Sequence, residues 1–352
     1  MRLAVTIAAL VALASAGNAQ PLRIGVAAPL SGPTALLGQQ VKAGAEAAAT
    51  ARGMEAVTVD DGCSAEGGAE AARRFVAAGV AMVTGFLCTE AIEAALPILK
   101  QAGIATIATG IRSGGLTSRR DKTGWLVVRY APRADSEVEA AAELLGRRWR
   151  DRLFAIVDDG TIYSRDLAEG FRLAVEAGGL RPVLTDSLRP QLENQIGLAG
   201  RLRRSGATHV FVAADRADVA ILARDAAQLD YPLTIAGGEV LRASPDAVDL
   251  ADGALMVGLP EWSAVADAAV VQALRDAGTE PDGYVLPAYA SVEIAAQALQ
   301  FAAQTGSGTM QVLGSEQFQT VLGPVEFDDK GDRTDNPYRL FRYEAGRFIE
   351  TE

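Results

Sequence analysis

The chain has 352 residues, 49% of them apolar and 22% charged. That balance fits about two folded domains and excludes wholesale disorder. Lys and Arg total 33 against 44 Asp and Glu, a net charge of −11, which disfavours nucleic acid and anionic membrane surfaces as partners. One histidine, His209, and two cysteines exclude most zinc sites and leave any Ser-His-Asp or Cys-His enzyme a single possible base.

Residues 1–19 read as a secretory signal peptide. Arg2 supplies the basic start, residues 3–13 the apolar stretch, and Gly17-Asn18-Ala19 the small-residue cleavage signature. The apolar run is shorter than the roughly 20 residues that a spanning helix needs. No cysteine directly follows to carry a lipid anchor. A soluble periplasmic product is expected. Export favours a disulfide between Cys63 and Cys88; two separate buried thiols are the alternative.

Residues 22–27 predict a strand, followed by a proline-bounded turn at 29–33. Alanine-rich 35–51 predicts a helix, with Ser31 or Thr34 available as its cap. A strand at 57–59, a helix at 65–78, a strand at 81–85, a helix at 90–101 and a strand at 104–109 then alternate. After a strand at 125–130 the pattern restarts. Helices are expected at 134–150, 167–177, 196–204 and 218–229, and strands at 153–157, 183–186, 209–213 and 233–236. A strand at 255–259 leads to helices at 264–277 and 287–305. Strands at 325–327 and 338–343 flank a polar turn at 328–333. The two similar runs predict an α/β fold of two lobes, each a doubly wound parallel sheet with helices on both faces. Ligands of such sheets sit beyond the carboxyl ends of the strands, here at 29–33, 85–89, 108–112, 158–163, 213–216 and 237–239.

Several motifs occur in a telling order. They are Ile24-Gly25-Val26-Ala27-Ala28-Pro29-Leu30-Ser31-Gly32-Pro33 with Gly38, then Asp60-Asp61-Gly62-Cys63 and Gly85-Phe86-Leu87-Cys88-Thr89. Leu116-Thr117, the segment 158–163, Gly237-Gly238-Glu239 and Gly323-Pro324-Val325-Glu326-Phe327-Asp328 with Gly331 follow. With this set the chain resembles the type I periplasmic binding proteins, in particular the leucine–isoleucine–valine-binding group that feeds ABC transporters. The resemblance implies two lobes joined by a three-strand hinge, closure on a small-molecule ligand and delivery to an ABC transporter membrane permease. Crossings are expected near Tyr130, Pro260 and Asp328. Lobe 1 is then 20–131 plus 261–328, and lobe 2 is 132–260 plus 329–352. The protein is expected to be a monomer and not an enzyme, with no cofactor, no metal and no nucleic-acid partner.

The same resemblance implies a ligand set. In amino-acid-binding members a hydroxyl residue after the second cysteine holds the ligand carboxylate; here it is Thr89, where helix N-terminal N–H groups favour an anion. A backbone carbonyl and a second hydroxyl come from the next strand end, which matches Ala108-Thr109-Gly110. This chain departs there, because the hydroxyl position falls on Gly110 and Thr109 points elsewhere. The second lobe supplies a tyrosine, Tyr163, and an acid for the ammonium, Glu239. A family tyrosine falls on Asp215 and a pocket aromatic on Leu37. Arg112 has no assigned counterpart; it either grips a carboxylate or is a solvated loop residue.

Plainer readings stand beside these. Thr89 and Asp215 fit helix caps, Glu239 a solvated loop acid, and Tyr163 a packing residue. If Asp215 and Arg112 both act, the ligand is more polar than leucine. His209 opens a strand away from the ligand-side ends and reads as structural. Asp328 to Asp332 lacks the spacing of a calcium loop. The leading expectation is capture of an amino acid. A small organic or aromatic carboxylate held by Arg112, an amide, a ligand-sensing module of the same fold and a secreted hydrolase using His209 are the alternatives.

Overall fold

The computed structural model describes residues 21–351, and the signal-peptide reading of 1–19 lies outside them. The first run is β1 (Arg23–Ala28), α1 (Ala35–Ala51), β2 (Glu55–Asp60), α2 (Ala65–Ala78), β3 (Met82–Gly85), α3 (Thr89–Gln101) and β4 (Ala105–Ala108). Two short helices, α4 (Gly115–Ser118) and α5 (Arg120–Thr123), lead to β5 (Val127–Arg129). These strands pair in parallel in the order β2-β1-β3-β4-β5. Local chemistry sets the boundaries. Ser64 accepts from the Gly67 N–H to start α2, and Gly79, left-handed at φ 65°, ends it.

The second run is α6 (Ser136–Arg148), β6 (Phe154–Asp158), α7 (Ile162–Ala177), β7 (Leu184–Ser187), α8 (Ile196–Ser205), β8 (His209–Ala213), α9 (Arg216–Gln228) and β9 (Thr234–Gly237). A 3-10 turn at Glu239–Arg242 and β10 (Leu255–Gly258) complete it. The chain continues through α10 (Trp262–Val265), α11 (Ala268–Asp276), α12 (Val285–Thr305) and α13 (Thr309–Leu313). Strands β11 (Phe318–Thr320) and β12 (Gly323–Val325) form a small hairpin, and β13 (Arg339–Glu344) and β14 (Arg347–Glu350) a second one. The second sheet has the order β14-β13-β10-β9-β8-β6-β7. It is parallel from β10 to β7 and antiparallel where β13 and β14 join.

Each lobe buries its own core, built from segments far apart in sequence. Val271, Leu286 and Ile294 of the returning helices share a core with Ile24, Val41 and Ile107. There α12 crosses α1 so closely that a Cβ on Gly44 would lie 1.9 Å from the Val285 carbonyl oxygen. Phe341 and Tyr343 of β13 pack instead with Val210, Val212 and Met256. Burial of these side chains, at roughly 25 cal/mol per Å² of apolar surface, is the main force holding each lobe.

Several details differ from the sequence expectations: α4, α5, α13 and β11 were not expected, α7 starts at Ile162 rather than 167, and Thr34 precedes α1 without a side-chain capping bond. The helix expected at 264–277 is two helices, because Asp267 accepts from the N–H groups of Ala269 and Val270 and so starts a new one. The strand expected at 325–327 lies at Gly323–Val325, and Phe327 makes only an isolated bridge with Arg333. The sheet containing β6 is mixed rather than wholly parallel. Its edge strand β14 was not expected, because the connecting turn puts Ala345 at φ 48° and Gly346 at φ 84°, and an alanine there hides the usual Asn-Gly signature. Cys63 and Cys88 form a disulfide with their Cα atoms 5.2 Å apart. It joins the loop after β2 to the loop after β3.

The end of β5 runs beside the segment that precedes β13. Arg129 donates its backbone N–H to the Gly331 carbonyl at 2.7 Å. Its fully buried guanidinium pairs with Asp332 at 2.8 Å and donates to the Ser113 carbonyl at 2.6 Å and to Thr117. Asp332 also accepts from Arg133 at 3.0 Å. A buried arginine needs such a set of partners to offset its lost hydration.

Candidate functional site

The loops that follow β4, β6 and β9 converge between the two sheets. After β4, Gly110 donates to the Phe86 carbonyl at 3.1 Å, and the Arg112 carbonyl accepts from Ala134 at 2.9 Å. Arg129 grips the neighbouring Ser113, so Arg112 sits on a pinned loop. After β6, Asp158 accepts from Gly160, and Asp159 accepts from the Thr161 N–H and hydroxyl. Thr161 then accepts from Ser164 to cap α7, which puts Tyr163 in its first turn. After β9, Gly237 and Gly238 lead in ordinary backbone conformations to the turn that begins with Glu239, and both are tightly packed where a Cβ would stand. A Cβ on Gly238 would lie 2.4 Å from Glu137 Oε1.

Arg112 reaches across to this second group. Its Nη1 donates to Glu239 Oε2 at 3.2 Å, and its Nη2 lies 3.9 Å from Glu137 Oε2. Its guanidinium carbon is 5.5 Å from the centre of the Tyr338 ring, in cation–π range. Tyr338 also donates to Glu239 Oε2 at 3.4 Å. Glu137, in the first turn of α6, accepts from the Glu239 backbone N–H at 2.8 Å and from the Tyr163 hydroxyl at 3.1 Å. Arg112 Nε is buried with no partner among the described residues, an orphan donor that calls for an acceptor.

Burial sets the electrostatics. The Glu137 side chain is 3% exposed, and that burial raises its pKa, reinforced by the charge of Glu239 and opposed by Arg112. Burial, then the adjacent Glu137 charge, pushes the Tyr163 hydroxyl pKa up. Burial does the same to Tyr284. Tyr163 and Tyr284 therefore act as neutral hydroxyls.

Beside this cluster lies a cavity of about 320 Å³. Its walls include Thr109, Gly110, Arg112, Tyr130, Pro132, Glu239, Arg242, Pro260, Trp262, Tyr284 and Arg333. They come from both runs of the chain and from the segments that connect them. The mixture is aromatic and proline-rich with a few charged groups, the usual make-up of a small-ligand pocket.

The sequence-predicted site residues divide. Arg112 and Glu239 meet directly at the cavity. Tyr163 is half-exposed and touches the cluster only through Glu137. Gly110 lines the cavity, but a Cβ there would lie 2.3 Å from Leu87 Cδ2 and 3.0 Å from Tyr284 Cε1, so those side chains fill the space of a hydroxyl residue. The Thr109 hydroxyl is spent inside the lobe, accepting from Gly85 at 3.1 Å and donating to Ser291 at 3.0 Å. The Ala108 carbonyl accepts from Tyr130 at 2.9 Å. Thr89 opens α3 half-buried and lies outside the cavity walls, and Asp215 is exposed before α9 and also lies outside them. Leu37 is exposed. Sequence reasoning missed Glu137, Tyr284, Tyr338 and Trp262. Glu137 sits among Glu139 and Glu143 on one helix and reads as part of a solvated face. The described residues hold no group of three His, Cys, Asp or Glu suited to a metal.

Comparison with known proteins identifies the family and the fold. The chain is 27% identical to the Leu/Ile/Val-binding protein BraC3 of Rhizobium johnstonii, over 99% of each chain. Its fold matches an ABC transporter substrate-binding protein from Desulfitobacterium hafniense in complex with Leu, at TM-score 0.70 and 21% identity, over 94% of this chain and 100% of that one. It also matches a solute-binding protein of an ABC transporter from Rhodopseudomonas palustris in complex with 3,4-dihydroxybenzoic acid, at TM-score 0.66 and 18% identity, over 94% and 96%. The family model for periplasmic binding proteins matches residues 21–347. With that match over nearly the whole chain, and with charged groups of two lobes meeting at a shared cavity, the chain belongs to the periplasmic binding protein family.

Proposed function

We propose that this protein captures an amino acid between its lobes outside the cytoplasm and delivers it to an ABC permease. One observation carries the reading: Arg112 from one lobe meets Glu239 from the other in the wall of a small cavity, with Glu137 behind Glu239. A zwitterion complements that arrangement. Its carboxylate takes Arg112, including the orphan Nε, and its ammonium takes Glu239. Each charge-assisted bond contributes roughly 1.5–3 kcal/mol. The side chain then lies against Tyr284, Trp262 and Pro260. The leucine-related names of the Rhizobium relative and the Desulfitobacterium complex support this reading.

Lobe 1 is taken as 20–131 with 261–328 and lobe 2 as 132–260 with 329–352, closing as a monomer about the three connecting segments. Thr89 and Asp215 are assigned no ligand contact in this state. Calorimetric titration with the amino acids tests the ligand. Binding in the micromolar range, roughly −8 kcal/mol, that weakens about 30-fold or more in Arg112→Ala is expected. Binding that survives the substitution unchanged removes Arg112 from the site.

A second reading, capture of an aromatic carboxylate without an ammonium, has its own support in the arginine beside Tyr130, Trp262 and Tyr284 and in the dihydroxybenzoate-bound Rhodopseudomonas structure. Titration with 4-hydroxybenzoate separates the two.

A further inference from the structure

Glu137 plays no part in the ligand set that the sequence motifs predict, yet it is the most enclosed charge at the site. Its side chain is 3% exposed. Its two hydrogen-bond donors are neutral, the Glu239 N–H at 2.8 Å and the Tyr163 hydroxyl at 3.1 Å. The cation within 4.0 Å of it among the described residues is Arg112, at 3.9 Å, and Arg112 belongs to the opposite lobe. Arg112 makes its shorter contact with Glu239. Two carboxylates of one lobe therefore share one guanidinium of the other.

We propose that Glu137 is a specificity-determining residue: it lies behind Glu239, outside the cavity wall, so that two adjacent carboxylates need a cation at Glu239, and it thereby selects solutes that carry an ammonium beside their carboxylate. This rests on the reading of the cavity as an amino-acid site and names what sets its selectivity. A zwitterion draws Arg112 toward its own carboxylate and returns a positive charge to the two acids. A solute with a carboxylate alone draws Arg112 away and returns nothing, leaving Glu137 buried against Glu239 with like charges and no counterion. Glu137 acts partly through its neighbours. It fixes the backbone of Glu239 and the hydroxyl of Tyr163, and the missing Cβ at Gly238 is what admits its Oε1.

The test uses matched probes on the full protein by calorimetry: leucine against 4-methylpentanoate, and phenylalanine against 3-phenylpropanoate. Each pair differs by the ammonium. For the wild type we expect a preference of about 100-fold for the amino acid. Glu137→Gln, which keeps an acceptor for the Glu239 N–H, should cut that preference about tenfold while the acid binds as well or better. Glu137→Asp keeps the charge and should retain the preference within about threefold; it also covers the case in which the glutamine variant does not fold. An unchanged preference in Glu137→Gln overturns the proposal, as does equal loss in the aspartate variant. Equal wild-type affinity for both members of a pair overturns the proposal alone and leaves a carboxylate-binding protein. Absence of binding to all four probes overturns the amino-acid reading and the proposal together.

Discussion

Two residues show how neighbours decide what a side chain can do. Gly110 stands where the resemblance predicts a hydroxyl, and Leu87 and Tyr284 occupy the space that a hydroxyl residue would need. Gly110→Ser should therefore destabilise by about 1–3 kcal/mol through overpacking, read as a lower urea midpoint, and should not improve amino-acid binding. A midpoint equal to the wild type shows that Leu87 yields without strain. Asp61 is fully buried, with Oδ1 accepting from Cys63 at 2.9 Å and Oδ2 unpartnered. Burial raises its pKa from 3.8 to about 6. The folded state then binds the extra proton between those values, so this group's contribution to stability falls as pH rises through the window. Above it the buried charge costs roughly 2–3 kcal/mol. Asp61→Asn keeps the acceptor and should raise stability at pH 7–8 by up to that amount and by nothing near pH 3. A gain of equal size at both pH values refutes the assignment.

Single contacts also tie elements together. The buried pair of Arg129 and Asp332 binds the end of β5 to the segment before β13, and Arg129 also holds the loop of Arg112 through Ser113. Asp332→Asn removes the counter-charge of a buried guanidinium, which costs about 3–5 kcal/mol. Chemical denaturation measures the loss, and ligand affinity should weaken with it because the Arg112 loop loses its anchor. Unchanged affinity in a folded variant would separate the strap from the site. The disulfide works on other elements. It joins the loops after β2 and β3, and on the chain-entropy model a loop of 25 residues contributes roughly 3 kcal/mol. Replacing both cysteines by serine should lower the melting temperature without altering the leucine preference, because neither cysteine lines the cavity.

At the scale of the molecule, two lobes are linked by their connecting segments and by charged contacts across the gap, Arg112 with Glu239 and Glu137 and Arg242 with Glu261. A ligand that touches both lobes shifts the population toward the closed arrangement by its differential affinity. Ligand at 100 times its Kd should add about 2.7 kcal/mol to stability, seen as a rise in Tm. Small-angle scattering should show the radius of gyration falling with the same ligand when the lobes start open. A thermal shift without any contraction at any salt concentration would mean that Arg112 and Glu239 hold the lobes shut unliganded.

Much of this protein was readable from residue order. The alternation of apolar runs with alanine-rich stretches locates the strands from β1 to β10 and the main helices, because periodicity and capping act over a few residues. The Cys63–Cys88 disulfide was also readable, from the cysteine pair and the export signal, and Arg112 and Glu239, which meet in the structure, both fall in segments at strand ends. Other features depend on contacts between distant segments. Tertiary structure alone decided that Glu137 sits beneath Glu239, 102 positions away, that Leu87 and Tyr284 fill the place beside Gly110, and that β14 closes the edge of the second sheet. The physical reason is the same throughout: short-range preferences write the elements, whereas burial and the pairing of charges are settled only when remote parts of the chain share one space.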